Sequence, residues 1–303
     1  MSFPDSRAAG ATSDACGGAP VTYCGVPTVP DDADEALDDI ERAHLRDPAD
    51  RTFTIARYEA ASDLRELARR FWIPVWHVPA GREAPQRVLQ YPVCLVVIAD
   101  SYARFYGVVS GLSTTTLTGR GWAVGLMLQP AAGFLLTGRS VDSFTDTHVD
   151  LAEVAGLGRL VAPVRAAMVG DPDRPGAHAD ARGLVEGVLR EHLPVDAEGR
   201  LVNAIVDAVE SDPDLLRVAA LCERFDVGER ALQRLTQRRL GLSPKWLIRR
   251  RRLHEAAGRL RDPHTELATL AAELGYTDQA HLTRDFRAAT GLTPGRFARR
   301  FTD

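Results

Sequence analysis

Two stretches near the C-terminal end share one grammar at an offset of about 50 positions. ERFDVGERALQRLTQRRLGLSP runs from Glu223 to Pro244, and ELGYTDQAHLTRDFRAATGLTP from Glu273 to Pro294. In each, a short apolar-periodic helix meets a tight turn and a second helix follows. Gly241 and Gly291 then stand where a helix ends in a left-handed residue. Ser243-Pro244 and Thr293-Pro294 supply a capping hydroxyl and a proline at the first helical position. The spacing predicts helices over 216–225 and 229–240, then over 267–274 and 278–290, with Thr277 capping the last. A long amphipathic helix over 244–261 joins the two copies. The whole basic segment reads as about seven short helices.

Two short helices joined by a tight turn, the second showing a polar face, form a helix-turn-helix. A helix entering the major groove needs long polar side chains on one stripe and apolar residues behind them. Arg230, Gln233, Arg234 and Gln237 make such a stripe, with Leu232, Leu235 and Leu240 available for the core. In the second copy Ala280, His281, Thr283, Arg284 and Arg287 face outward, and Leu282 and Phe286 inward. Arg bridges guanine O6 and N7, and Gln bridges adenine N6 and N7. Two copies in register, each keeping its central Arg, argue against a merely solvated helical bundle.

Charge agrees with this reading. The chain carries a net −4, yet residues 211–303 hold 18 Lys+Arg against 12 Asp+Glu. A basic segment beside an acidic body suggests a local polyanion site. Arg249 to Arg252 form the densest cationic run. Four consecutive helical positions span most of the helical wheel, so one or two are expected at phosphate and the rest in solvent.

The stretch ELATLAAELGYTDQAHLTRDFRAATGLTPGRFARRF closely resembles the C-terminal signature of AraC/XylS-family transcription regulators. The resemblance covers about 90 residues, roughly 215–301. It implies two helix-turn-helix units on one linker helix, each placing a recognition helix in successive segments of the major groove of double-stranded DNA. It places base contacts on Arg230, Gln233 and Arg234 in the first unit, and on Ala280, His281 and Arg284 in the second. RNA polymerase is a partner by the same implication, and activation the commoner mode. Two departures stand out. Thr236 sits where the family usually has an aromatic core residue, and Ala280 is too short to read a polar base edge, though it can touch a thymine methyl.

The amino-terminal part differs in character. Residues 1–50 are rich in Ala, Gly, Pro and Asp and read as a flexible acidic tail. From 51 to 150, RVLQYPVCLVVIAD, ARFYGVVSG and GWAVGLMLQP predict short strands of a β-sandwich or barrel. Residues 151–210 turn helical and form a connection or a homodimer face. The resulting expectation is an α+β chain of two domains: a β-rich half expected to sense an effector, with a helical connection, and an all-α tandem helix-turn-helix over 211–303.

The family's amino-terminal half commonly binds an effector. The patch FWIPVWHVP (71–79) makes Trp72, Trp76 and His77 the candidate effector-binding residues, with ordinary barrel core as the plainer reading. His77 and His148 lack the paired HxH and flanking Glu of a cupin-type metal site, so neither metal nor cofactor is expected. A metal-dependent β-barrel enzyme fused to a DNA-binding module would need clustered ligands, and no GxSxG nucleophile motif occurs. The chain is therefore read as non-enzymatic. A regulator that dimerises constitutively and senses nothing is the other alternative. No apolar run reaches the length of a membrane span, the first 30 residues lack a secretory apolar block, and Cys16, Cys24, Cys94 and Cys222 make no ligand spacing. Those features predict a cytoplasmic protein.

Overall fold

The computed structural model describes residues 50–89 and 91–299. The acidic tail, with Cys16 and Cys24, lies outside the described residues. Eight strands come first: β1 (Phe53–Glu59), β2 (Ala68–His77), β3 (Ala84–Val88), β4 (Leu95–Ala99), β5 (Ala103–Tyr106), β6 (Ser113–Leu117), β7 (Arg120–Leu128) and β8 (His148–Asp150). Six of them build a sheet in the order β1-β2-β7-β4-β5-β8, and β3 pairs with β6 as a separate two-stranded ribbon. All pairings are antiparallel.

The sheet is apolar on both faces, which explains the imperfect alternation of its sequence. Every residue of β4, Leu95-Val96-Val97-Ile98-Ala99, is buried. Val96 and Ile98 join Phe71, Ile73, Phe105 and Leu126 in the main core, while Leu95, Val97 and Ala99 join Trp72, Trp76, Tyr102 and Tyr106 on the opposite face. The expected run 87–100 thus takes in the end of β3 and the whole of β4, with 89 and 91–94 outside either strand.

One helix, α1 (Ala132–Thr137), lies between β7 and β8, and three follow the last strand: α2 (Val161–Met168), α3 (Pro175–Arg190) and α4 (Ala197–Ser211). Residues 151–160, expected to be helical, instead form 3-10 turns at Leu151–Glu153 and Gly158–Leu160. A capping box between Asp150 and Glu153 closes the first turn, and Gly156 at φ 81° cannot lie in a right-handed helix. The apolar stripes of α2, α3 and α4 pack into the main core through Val164, Met168, Val185, Leu189, Val202 and Ile205. Their stripes are occupied within the chain.

Six helices complete the described residues: α5 (Val218–Phe225), α6 (Glu229–Leu240), α7 (Pro244–Arg259), α8 (Leu267–Glu273), α9 (Gln279–Thr290) and α10 (Pro294–Ala298). The two helix-turn-helix units stand differently toward the sheet. In the first, Leu221, Leu232, Leu235, Leu240 and Leu242 share one continuous core with the sheet's Phe71 and Phe105. The second keeps its own core of Leu270, Leu274, Leu282, Phe286 and Phe297, to which the sheet side adds Leu89. Helix α7 serves both. Leu247 and Ile248 enter the first core, and Leu253, Ala256 and Ala257 enter the second.

Candidate nucleic-acid interface

The two second helices are built by local rules. Helix α6 ends at Gly241 with φ 70°, and α9 at Gly291 with φ 74°; each glycine N–H returns to a carbonyl four residues back, Gln237 and Arg287. Left-handed φ at both C′ positions is what glycine provides without a Cβ penalty. Ser243 caps α7 by accepting from the Trp246 N–H, and Thr293 caps α10 by accepting from Arg296. At the start of α9 the cap is Asp278, whose carboxylate accepts the His281 N–H at 2.7 Å. This corrects the assignment to Thr277: the charged Asp side chain reaches the free N–H and complements the helix dipole from the cap position itself.

Helix periodicity then sorts the side chains. Leu232, Leu235 and Leu240 are buried on α6, and Leu282 and Phe286 are fully buried on α9. Opposite them, Arg230, Gln233, Arg234 and Gln237 are all exposed. Gln233 donates to Glu229 at 3.1 Å, one turn earlier. On α9, Ala280, Arg284 and Arg287 are exposed. His281 and Thr283 are half-buried, and the His281 ring stands edge-on to Tyr276 at 5.1 Å. Thr236 is fully buried and turns its hydroxyl back to the Gln233 carbonyl at 3.2 Å. The hydroxyl is thereby satisfied where a larger apolar group was expected.

The ion pairs divide the arginines of this half into two groups. Arg230, Arg234, Arg284 and Arg287 have no carboxylate partner among the described residues. Arg224, Arg238, Arg239, Arg249, Arg251 and Arg259 are each ion-paired. Arg239 is almost fully buried between Asp196 and Glu198, with its guanidinium 4.3 Å from the Phe134 ring centre. Sequence reasoning missed this residue; the signal was an Arg at the inward-facing position of α6, next to Leu240.

The run Arg249–Arg252 departs from expectation. Arg249 holds Asp285 of α9 with both hydrogen bonds at 3.0 Å. Arg250 is buried, donating to the Ser110 and Gly111 carbonyls at 2.6 and 3.1 Å. Arg251 is buried, paired with Glu255 at 3.0 Å and donating to the Pro213 carbonyl at 3.0 Å. Arg252 lies 3.7 Å over the Tyr276 ring. None of the four is a freely solvated cation. The run ties the linker helix to its neighbours, because each of its positions meets a different packed element around the helix.

The candidate effector residues lie together on β2. Trp72 and Trp76 are half-buried and pair in register with Gly125 and Gly121 of β7. Each indole lies flat on its partner glycine, where a Cβ would come within 2.3–2.4 Å of the ring. Trp76 also donates to the Thr118 carbonyl at 3.2 Å. His77 is exposed at the end of the strand, 3.4 Å from Arg120 Nε. His148 lies on β8, with β7, β4 and β5 between it and the strand carrying His77. Among the described residues no group of three or more His, Cys, Asp or Glu side chains is placed to hold a metal ion. Cys94 is buried, which pushes its thiol up to about 12. No helix among the described residues is long and apolar enough to cross a membrane.

Comparison with known proteins divides along the same line. Residues 221–300 match the family described as Helix-turn-helix domain, and residues 56–150 match a family described as a domain of unknown function, DUF6597. A curated relative, the HTH-type transcriptional activator RhaS of Pectobacterium carotovorum, is 32% identical over 75 residues, 25% of this chain and 27% of that protein. RhaR of Yersinia pseudotuberculosis, also an HTH-type transcriptional activator, is 26% identical over 112 residues, 37% of this chain and 39% of that protein. The chain thus spans between a quarter and two-fifths of the curated relatives it matches. Among solved structures, ToxT of Vibrio cholerae aligns over 84% of this chain and 100% of its own, at 12% identity and a TM-score of 0.40. The C-terminal domain of AraT from Geobacillus stearothermophilus aligns over 34% of this chain and 88% of its own, at 22% identity and a TM-score of 0.32.

Proposed function

From a chain that carries the tandem helix-turn-helix of an AraC/XylS-family transcription regulator, we propose a sequence-specific DNA-binding regulator that reads two successive major-groove segments with α6 and α9. The observation that carries the reading is the pair of exposed polar stripes, with Arg230 and Arg234 on one and Arg284 and Arg287 on the other, all lacking a carboxylate partner among the described residues. Exposed guanidinium groups with no internal partner can meet base edges and phosphates without first breaking an ion pair. Gln233 and Gln237 add adenine readout in the first segment. His281 and Arg284 specify the second, and Ala280 contributes at most contact with a thymine methyl.

Activation extends to this chain what the names of its curated relatives say of them, and RNA polymerase as its partner is what the family resemblance implies. The sheet domain is read as the sensing half, with Trp72, Trp76 and His77 on the face an effector would approach. A homodimer would have to use surfaces other than the stripes of α2–α4. The chain is read as non-catalytic and cytoplasmic.

Genome-wide binding of the purified full-length protein to sheared DNA of its own organism tests the reading. Peaks sharing a bipartite motif, its halves about 10 bp apart, are the expected result. Weak, motif-free binding that vanishes with salt would overturn it. Repeating the assay with metabolite extract, while following tryptophan fluorescence, tests the sensing half.

A further inference from the structure

Two side chains from different elements meet the ring of Tyr276, in the turn between α8 and α9. The guanidinium of Arg252, on the linker helix α7, lies over it, 3.7 Å from the ring centre. The His281 imidazole, on the first turn of α9, stands at 85° to it with 5.1 Å between centres. Tyr276 itself is firmly seated. It is 5% exposed, belongs to the core of the second unit, and donates its N–H to the Ala271 carbonyl at 2.9 Å.

Neither neighbour has another tie that sets its side chain. Arg252 has no carboxylate partner among the described residues, and its Nε and Nη2 are buried with no acceptor. Asp285, close enough to act on the Tyr276 hydroxyl, is already held by Arg249. A partly desolvated guanidinium gains more from an aromatic face than an exposed one does. His281 gives its backbone N–H to Asp278, but its ring makes no hydrogen bond among the described residues. An imidazole that reads a base edge binds best when its orientation is set beforehand, and here the Tyr276 ring is what sets it. The hydroxyl adds nothing to this. It is buried with no partner, and burial pushes its pKa up to about 12. The first unit has Val227 and Ala231 at the matching positions, and long Arg and Gln side chains on its stripe. The stack thus belongs to the second unit.

We propose that Tyr276 and Arg252 are positioning residues for base readout: the Arg252 guanidinium holds the Tyr276 ring, and the ring sets the orientation in which His281 meets its base. Neither residue touches the base itself. The linker helix therefore contributes to which sequence the second unit prefers as well as to how the two units are spaced. This rests on the reading of α9 as a base-reading helix given above.

The test uses the full chain, selection of bound sequences from a randomised DNA pool, and proton–carbon spectra of the histidine rings. His281→Ala identifies the base position that His281 reads, and Arg284→Ala serves as the reference. Arg252→Ala is expected to reduce the preference at the His281 position about threefold or more, the scale of one partly desolvated cation–π contact. The Arg284 position should keep its preference. Arg252→Lys, which keeps a cation within reach of the ring, should restore part of the loss, and Tyr276→Phe should behave as the parent. Without DNA, the His281 ring protons should carry a ring-current shift from Tyr276 that shrinks in Arg252→Ala and persists in Tyr276→Phe. The proposal falls if Arg252→Ala keeps the parent's preference, or if Tyr276→Phe loses it. It falls equally if Arg252→Ala weakens binding to every sequence alike with a shallower salt dependence, which marks a phosphate contact. If His281→Ala and Arg284→Ala both leave the selected sequences unchanged, the reading of α9 falls and takes the proposal with it.

Discussion

Arg249 of the linker helix grips Asp285 of α9 through two hydrogen bonds, Nε to Oδ2 and Nη2 to Oδ1, each 3.0 Å long. This two-point contact fixes orientation as well as distance, since the planar guanidinium and carboxylate must be coplanar to make both bonds. The linker thus holds α9 at a set angle while Leu253, Ala256 and Ala257 pack beneath it. Both partners are partly exposed, so the pair adds only about 0.2–1 kcal/mol to stability. Its main effect is on geometry. Asp285→Asn is expected to leave the melting temperature nearly unchanged. It should weaken binding to a two-segment operator more than binding to a fragment carrying one segment, and band-shift titrations on both DNAs measure the difference.

Base readout makes a separate prediction. Arg284→Ala should cost about 1–3 kcal/mol of operator binding and relax specificity at one base position in the second segment. Arg234→Ala should do the same in the first segment. Selection of bound sequences from a randomised pool shows which position is relaxed. Unchanged affinity for the native operator in the Arg284 variant would mean that α9 does not face the bases.

The two C′ glycines separate a local cost from a tertiary one. Both sit in the left-handed region, so alanine at either costs about 1–2 kcal/mol in backbone strain. At Gly291 a Cβ would find nothing within 4 Å. At Gly241 it would meet Thr145 Oγ1 at 2.2 Å and the Asp142 backbone at 3.0–3.1 Å, where Thr145 donates to the Gly241 carbonyl. Gly241→Ala should therefore destabilise the chain by clearly more than Gly291→Ala. Equal urea midpoints for the two variants would show that the Thr145 contact does not persist in solution.

Acid should loosen the hold of Asp196 and Glu198 on Arg239 of the first unit. At Asp196 burial opposes ionisation but is outweighed by hydrogen bonds from Arg239 and the Gly199 N–H, so its carboxyl titrates below the usual range. Glu198 is lowered chiefly by its hydrogen bond with Arg239, then by Arg238. A carboxyl with a lowered folded pKa stabilises fully above its unfolded pKa, here about 4, and loses that contribution as pH falls through the folded value. Melting temperatures from pH 7 to pH 3 should fall less steeply at the acid end for the Asp196→Asn/Glu198→Gln double variant than for the parent. Parallel curves would mean that these carboxylates do not titrate with folding.

Much of the architecture was determined by the sequence alone, and the reason is the range of the interactions involved. Helix ends at Gly241, Ser243, Gly291 and Thr293 follow from contacts within four residues, which a linear string displays directly. The inward positions of Leu232, Leu235, Leu282 and Phe286 follow from the 3.6-residue period in the same way. The β-rich character of residues 53–150 was legible from its Val-, Ile- and aromatic-rich runs, but strand order was not, because pairing joins segments far apart in the chain.

Only the tertiary structure decided where Arg249 to Arg252 go. Arg250 meets carbonyls 139 and 140 residues away, and Arg251 meets one 38 residues away. A cationic run reads as solvated until the fold brings unsatisfied acceptors to it. Tertiary structure likewise laid Trp72 and Trp76 on Gly125 and Gly121, since nothing within either strand states which glycine lies across from which indole. It also merged the first helix-turn-helix with the sheet's core and left the second on a core of its own. The sequence repeat makes the two units look equivalent. The fold makes them unequal, because Arg239 finds Asp196 and Glu198 at the N-terminal end of α4, while α9 is held by Asp285 to the linker.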